Sequence, residues 1–437
     1  MPQNFLPCDR DQELLLPPSL REWLPADHLA WFVIDAVAEL DLAAFYADYR
    51  QDGHGRPAHD PQMMVALIVY AYAAGVRSSR MIERHLAEDV AFRVIAANQA
   101  PDHATIARFR ARHEQALAGL FTQVLGLCAQ AGLVRAGTIA LDSTKLEANA
   151  SGLKNMTYEQ IAKAILEEAA ATDAAEDALY GERRGDELPP ELCDPKTRRE
   201  RLRQAKRALE EELAKERAAA EAHNARCAEY AAAKAAGKPR MGTPPKPRAL
   251  PEAPAGRVNL TDPDSRSVRT PRGFIQGYSA QAAVTPDQII VCAEVVRGGP
   301  DQGLLEPMAA QALAELEAAG ASGPAALLAD AGYWNARQIG ALRAAGIDVL
   351  VPPDGRGPPL NKQALAAELR ARLKTAEGAA LYRHRQQSIE PVFGQLKANR
   401  RIDRFLRRGL AACRSEWRLI AATHNLLKLW RSGLAAA

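Results

Sequence analysis

The chain has 437 residues, 47% hydrophobic and 25% charged, with a formal net charge of +3. That length and balance allow two or three domains around a sizeable core and exclude fibrous and wholly disordered classes. The six cysteines (Cys8, Cys128, Cys193, Cys227, Cys292, Cys413) lie far apart, with no CxxC pair and no histidine at ligand spacing. Neither a zinc site nor a disulfide framework is indicated, and a reducing, intracellular compartment is expected.

The first residues, MPQNFLPCDRDQELLLPP, lack a basic segment followed by an apolar one, and no run of about 18 apolar residues occurs anywhere, so neither export nor a membrane span is expected. Residues 1–55 read as helical packing material, with Leu29, Phe32, Val33, Ala36, Val37 and Leu40 at helical spacing. Asp60-Pro61 supplies an N-cap and a proline at the first helical position, and the apolar run Met63 to Tyr72 ends at Gly75. Short helices are expected at Ser79–Leu86, Asp89–Ala97 and, capped by Asp102, His103–His113. The last carries Arg108, Arg110 and Arg112. Short helices ending in an arginine-bearing one match the layout of helix-turn-helix DNA binders, and equally of any small helical bundle. We take residues 1–130 as one all-α N-terminal domain.

Thr138 to Asp142 is a β-branched apolar run that delivers an acid at its end. Residues 157–257 then change texture. Thr157-Tyr158-Glu159-Gln160 is a capping box opening an Ala/Glu/Lys-rich helix. A second long helix is expected from about Lys196 to Tyr230, with Leu202, Leu209 and Leu213 as its seam, and Lys238 to Arg257 reads as a stiff basic Pro-rich linker without a fixed fold. The stretch is an inserted helical hairpin.

Strand texture returns at Phe274–Val284 and Ile289–Val296, joined by Thr285-Pro286-Asp287 as an antiparallel hairpin. Asp301 starts a helix to about Ala319; Ala325 to Ala329 is a second buried strand ending in an acid, Asp330. A helix (Ala336–Ala345) and a strand (Ile347–Val351) follow. Residues 362–437 hold sixteen Lys/Arg against five Asp/Glu, a net of +11, whereas residues 1–130 hold eleven against sixteen, a net of −5. A polyanion meets the C-terminal third first.

In that third, Ser388 is expected to cap a helix with Pro391 in its first turn, which places Glu390, Gly394, Lys397 and Arg401 on one face. With the insertion lifted out, the order of strands, helices and acids resembles the ribonuclease-H-like fold: an α/β core with a mixed sheet, in residues 131–156 and 258–400, followed by a basic helical region at 401–437. Two-metal phosphodiester chemistry accounts for three carboxylates, because hard Mg²⁺ takes oxygen ligands and two ions about 3.5–4 Å apart serve the attacking and leaving oxygens. Asp142 on the central strand suits the bridging role, with Asp330 and Glu390 each holding one ion.

Three stretches carry a closer resemblance: Leu141-Asp142-Ser143-Thr144-Lys145 through Ser151, Leu328-Ala329-Asp330-Ala331-Gly332-Tyr333, and Ile389-Glu390-Pro391-Val392-Phe393-Gly394-Gln395-Leu396-Lys397. They look like the acid-bearing motifs of DDE transposases of bacterial insertion sequences, and Asp60 to Phe109 is similar to the helical domain that precedes the catalytic core in one subgroup. The resemblance implies a transposase that cleaves at the ends of its own element and joins the 3′-OH to target DNA. It further implies two Mg²⁺ or Mn²⁺ ions on Asp142, Asp330 and Glu390, terminal inverted repeats and target DNA as partners, a homodimer on DNA, and a nucleoid-associated cytoplasmic location. Many relatives carry Tyr-x2-Arg-x3-Glu-x6-Lys at the last acid. Here Tyr382-x2-Arg385 and Glu390-x6-Lys397 are intact, but four residues separate Arg385 from Glu390, which turns the arginine by about 100°. Lys397 and Arg401 remain the phosphate-gripping candidates. Two alternatives stand beside this reading. A nuclease that only hydrolyses takes its acid from the helix after the hairpin, at Glu306 or Glu315. A non-catalytic DNA-binding regulator leaves both strand-end acids unexplained. His384 reads as a phosphate-facing surface residue and His424 as a packed helix residue; Trp334 reads either as a base-stacking group or as a core aromatic.

Overall fold

The computed structural model describes residues 19–49, 58–135, 137–150, 155–161, 164, 195–236, 245–252, 257–271, 273–353 and 363–434. The break around Gly181–Asp194 and two cysteines, Cys8 and Cys193, lie outside them. The chain divides into two compact units between His113 and Glu114.

The first unit is helical: α1 (Leu29–Ala38), a single turn α2 (Ala43–Tyr46), α3 (Pro61–Ala73), α4 (Ser79–Glu88), α5 (Val90–Ile95) and α6 (His103–Arg112). Its central helix is α3, buried from Met64 to Ala73. Asp60 caps α3 by accepting from the N–H groups of Gln62 (2.7 Å) and Met63 (3.2 Å), and Gly75 ends it in a left-handed turn (φ 81°) that a side chain would resist. Asp89 caps α5 and Asp102 caps α6 in the same manner.

The division falls at 113 and not at the expected 130 because α7 (Glu114–Gln130) belongs to the second unit. Its buried face, Leu117, Leu120, Phe121, Val124 and Leu125, packs against the C-terminal helix, where Ser415 donates to the Glu114 carbonyl (2.7 Å) and Arg418 to that of Ala118 (3.0 Å).

The second unit is built on strands β1 (Thr138–Glu147), β2 (Asn155–Thr157), β3 (Arg257–Asn259), β4 (Arg266–Thr270), β5 (Gly273–Val284), β6 (Ile290–Val296), β7 (Ala326–Ala329) and β8 (Asp348–Leu350). The main sheet runs β4-β5-β1-β7-β8, with β6 also on β5; β1, β7 and β8 are mutually parallel and β5 is antiparallel to its neighbours. The β5–β6 hairpin forms where Thr285-Pro286-Asp287 places it. Buried apolar residues fill β5, β6 and β7 in near-continuous runs, as strands covered on both faces require. The helices are α8 (Pro195–Ala235), α9 (Leu305–Ala318), α10 (Ala336–Ala344), α11 (Gln363–Lys374), α12 (Ala376–Gly394) and α13 (Leu410–Ser432). Helix α12 packs against β1, and α13 against α7 and β6.

Within the insertion, the capping box closes as expected: Thr157 N–H donates to Gln160 Oε1 (2.9 Å) and Gln160 N–H to Thr157 Oγ1 (3.3 Å). Leu202, Ala205 and Leu209 of α8 are buried with Ile161 and Val258. The described part of the Pro-rich stretch, residues 245–252, departs from the expected unfixed linker. Asn224 holds the backbone of Arg248 from both sides (2.9 and 2.7 Å), His223 bonds the Lys246 carbonyl (3.0 Å), and Arg217 donates to that of Pro251 (2.7 Å). Polar side chains of α8 thus supply the partners that a chain rich in proline cannot find in itself.

Candidate active site

Strand β1 does not end at Asp142, as its sequence suggested, but continues to Glu147 along β5. What ends at Asp142 is the pairing with β7, whose last register pair is Leu141↔Ala329. Asp142 and Asp330 are therefore each one residue beyond the last pair of two adjacent parallel strands, which brings them to neighbouring positions.

The Asp142 carboxylate is largely enclosed, with a side chain 20% exposed. Burial pushes its pKa up; the Ser143 N–H (2.7 Å to Oδ1) and the Arg385 guanidinium (2.7 Å to Oδ2) oppose that rise, and the Asp330 charge adds to it. Asp330 accepts from the Gly332 N–H (3.0 Å), capping the turn Ala331–Tyr333.

Arg385 reaches Asp142 from α12 and lies over the Tyr382 ring, 5.7 Å from its centre. Of the intact Tyr-x2-Arg pair, Arg385 thus reaches Asp142 and Tyr382 packs beneath its guanidinium, despite the shifted spacing to Glu390. Glu390 is exposed on the same helix. No group of three or more His, Cys, Asp or Glu side chains that could hold a metal ion occurs among the described residues, so the expected trio is brought together only as far as Asp142 and Asp330. The chemistry of that pair, two carboxylates on neighbouring strands with that of Asp142 largely enclosed, fits a hard divalent cation.

The helical stripe is corrected in two ways. First, α12 starts at Ala376, capped by Thr375 through the Gly378 N–H (3.0 Å), so Ser388 lies inside it, buried, donating to the His384 carbonyl (2.6 Å). Pro391 is interior too. Second, the helix changes to a π-turn at Gln395–Asn399, and Arg401 follows in a left-handed conformation (φ 52°). The wider turn breaks the 3.6-residue period, so Lys397 and Arg401 do not continue the face of Glu390. Lys397 turns to β1 and donates to the Lys145 carbonyl (3.0 Å); burial lowers its pKa. Arg401 is exposed. Around Gly394 a side chain would meet nothing within 4 Å, so that approach is open.

Much of the basic excess is internal. Arg372, Arg385, Arg404, Arg407, Arg414 and Arg418 pair with Asp348, Asp142, Glu147, Glu114, Glu294 and Glu315. Glu315, the rival acid, is buried between Arg418 (2.7 Å) and Thr122 (2.5 Å), and Glu306 lies one helical residue from the start of α9. Trp334 is buried at 5% exposure, as a core aromatic. His384 is exposed, and His424 is buried with Nε2 donating to the Gln288 carbonyl (2.9 Å).

In the first unit, α6 presents its arginines differently. Arg110 is buried, donating to the Tyr72 hydroxyl (3.2 Å) and the Arg77 carbonyl (2.7 Å), and so is unavailable to a groove. Arg112 donates to the Asp48 carbonyl and lies over Tyr49. Arg108 is exposed and donates to Thr105 Oγ1 (3.3 Å). Arg108 and Arg112 share a face and line a cleft of about 910 Å³ with Tyr49, His59 and Asp102.

Sequence reasoning passed over Asp301, which it took as a helix start. The available signal was an acid after the turn Gly298-Gly299-Pro300, with Ser143 and Lys145 two apart on one face of β1.

Residues 18–112 match the family described as "Transposase domain (DUF772)", and residues 355–430 match "Transposase DDE domain". The two matches support an enzyme that acts on DNA, a DDE transposase of insertion-sequence type. The second match contains Glu390 and Lys397; Asp142 and Asp330 lie outside both. No curated protein and no solved structure matches the chain. No helix among the described residues is long and apolar enough to cross a membrane.

Proposed function

We propose that the protein cleaves DNA at the ends of its own element and joins the freed 3′-OH to target DNA, with Asp142, Asp330 and Glu390 as the ligands of two divalent cations. The observation that carries this is the register of β1 and β7, which places two carboxylates at neighbouring positions, each one residue past the last pair of the two parallel strands. The sheet order β6-β5-β1-β7-β8, with β5 antiparallel, supports a ribonuclease-H-like core. Bound there, Mg²⁺ or Mn²⁺ supplies an activated water or 3′-OH and a stabilised leaving oxygen.

The remaining work falls to the chain's own side chains. Arg385 neutralises Asp142 and holds its carboxylate in place. Lys397, with one ammonium donor on the Lys145 carbonyl, keeps its others for a phosphate oxygen close to the scissile bond. Arg401 and Tyr382 take backbone contacts further out. End recognition falls to the first unit, through Arg108 and Arg112. Of the two acids open to the hydrolysing rival, Glu306 and Glu315, the second is committed to Arg418 and Thr122.

The test is Asp142→Asn and Asp330→Asn, isosteric changes that remove the charge a cation needs. Strand cleavage is expected to vanish while binding to end DNA persists; cleavage retained in both variants overturns the assignment.

A further inference from the structure

Ser143 and Lys145 are one residue out of phase with Asp142, so their side chains leave the opposite face of the sheet. There both meet Asp301, in the turn Asp301–Gly303 after β6. Ser143 Oγ donates to Asp301 Oδ2 (2.9 Å), and Lys145 Nζ lies 3.7 Å from the same oxygen while donating to Ser143 Oγ (3.2 Å) and Ser279 Oγ (2.6 Å). Asp301 Oδ1 accepts from Gln281 Nε2 (2.7 Å). Gln281 is fully buried on β5, opposite Ser143, and its Oε1 accepts from the hydroxyl of Tyr333, which closes the turn that Asp330 caps. One carboxylate thus ties the residue after Asp142 to the turn after Asp330.

We infer that Asp301 is a positioning residue for the acid pair, setting the spacing at which Asp142 and Asp330 meet a divalent cation. The β1–β7 ladder stops at Leu141↔Ala329, one residue short of both acids, so it does not itself hold them at a fixed separation. The network around Asp301 supplies that constraint through Ser143 on one strand and through Gln281 and Tyr333 on the other. Its composition agrees with such a role. On the same face of β5 Ala283 is buried and apolar, and apolar residues would fill this face at no loss of stability. A connected polar network gives a single arrangement in return, which a metal site requires.

This inference rests on the catalytic reading of Asp142 and Asp330, and the experiment separates the two. Mn²⁺ is titrated calorimetrically into the full-length protein without DNA, for wild type, Asp142→Asn and Asp301→Asn, with melting temperatures recorded in EDTA. Asp301→Asn is expected to stay folded at the assay temperature and to bind Mn²⁺ about 10- to 100-fold more weakly than wild type, the usual cost of losing an outer partner of a metal site. The Mn²⁺ concentration that half-saturates cleavage is expected to rise by the same factor, with saturation recovering part of the rate. Wild-type Mn²⁺ affinity in folded Asp301→Asn overturns the inference and leaves the catalytic reading standing. Absence of Mn²⁺ binding in wild type, or equal binding in Asp142→Asn, overturns the catalytic reading and the inference with it. If Asp301→Asn unfolds, Ser143→Ala, which removes a single arm, is measured in its place: weakened Mn²⁺ binding supports the inference and wild-type affinity overturns it.

Discussion

The sheet half and the helix half of the site were assembled by different rules. Asp142 and Asp330 stand beside each other because a parallel ladder ends at Leu141↔Ala329, and backbone hydrogen bonds leave little choice about what comes next. Glu390, Lys397 and Arg401 depended on an unbroken 3.6-residue period, and a single π-turn at Gln395–Asn399 dispersed them. Placement by a ladder is local and robust, whereas placement along a helix carries forward every irregularity before it.

Substitutions sharpen that contrast. The largest effect is expected in the sheet half, where Asp142→Asn or Asp330→Asn abolishes cleavage in a single-turnover assay on pre-bound end DNA. In the helix half, Lys397→Ala is expected to slow cleavage and strand transfer by about 10²-fold, because it removes positioning and no cation ligand. Lys397→Arg should recover part of the rate. Wild-type rates in Lys397→Ala would leave the helix half without a phosphate contact beside β1.

His424 tests a helix whose period stays intact, since α13 runs unbroken from Leu410 to Ser432. Burial lowers its pKa to about 3, and with the Gln288 carbonyl as acceptor the ring is neutral with its proton on Nε2. A depressed histidine contributes stability that is present above its unfolded pKa and lost as pH falls towards the folded one. The loss begins near pH 6.5 and continues towards pH 3. Urea midpoints should show about 2 kcal/mol less stability at pH 5 than at pH 7 from this group alone. His424→Gln, which titrates nowhere in that window, should flatten the slope; an unchanged slope would mean the ring is not held neutral.

The smallest effects belong to α6. Arg110→Ala is expected to lower stability by about 1.5 kcal/mol, through lost buried hydrogen bonds. Arg108→Ala should leave the melting temperature alone and weaken end-DNA binding. Reversed outcomes in a calorimetric and a binding measurement would make Arg110, and not Arg108, the DNA contact.

Legibility follows the same line. The caps at Asp60 and Asp102, the hairpin around Pro286 and the two strand-end acids were readable, since each depends on a few neighbouring residues. Arg108, Arg110 and Arg112 looked like one basic face, yet residues two apart on a helix point away from each other, and the middle one is buried. The C-terminal charge excess was readable as a sum; which arginines face carboxylates on distant elements was not, because a pair such as Arg407–Glu114 is made by the fold. Asp301 was hidden for that reason too: its partners come from β1 and β5.

The short ladder of β2 and β3 bears on how this chain could have acquired its length. Thr157 pairs with Arg257, so the polypeptide enters and leaves the inserted stretch at adjacent points, one strand spacing apart. The two ends of the stretch meet in that ladder, which adds no offset between β1 and β4. Such a doorway tolerates traffic: material of very different size could be gained or shed there over evolutionary time, by a single in-frame event, without moving the register that brings the strand-end carboxylates together.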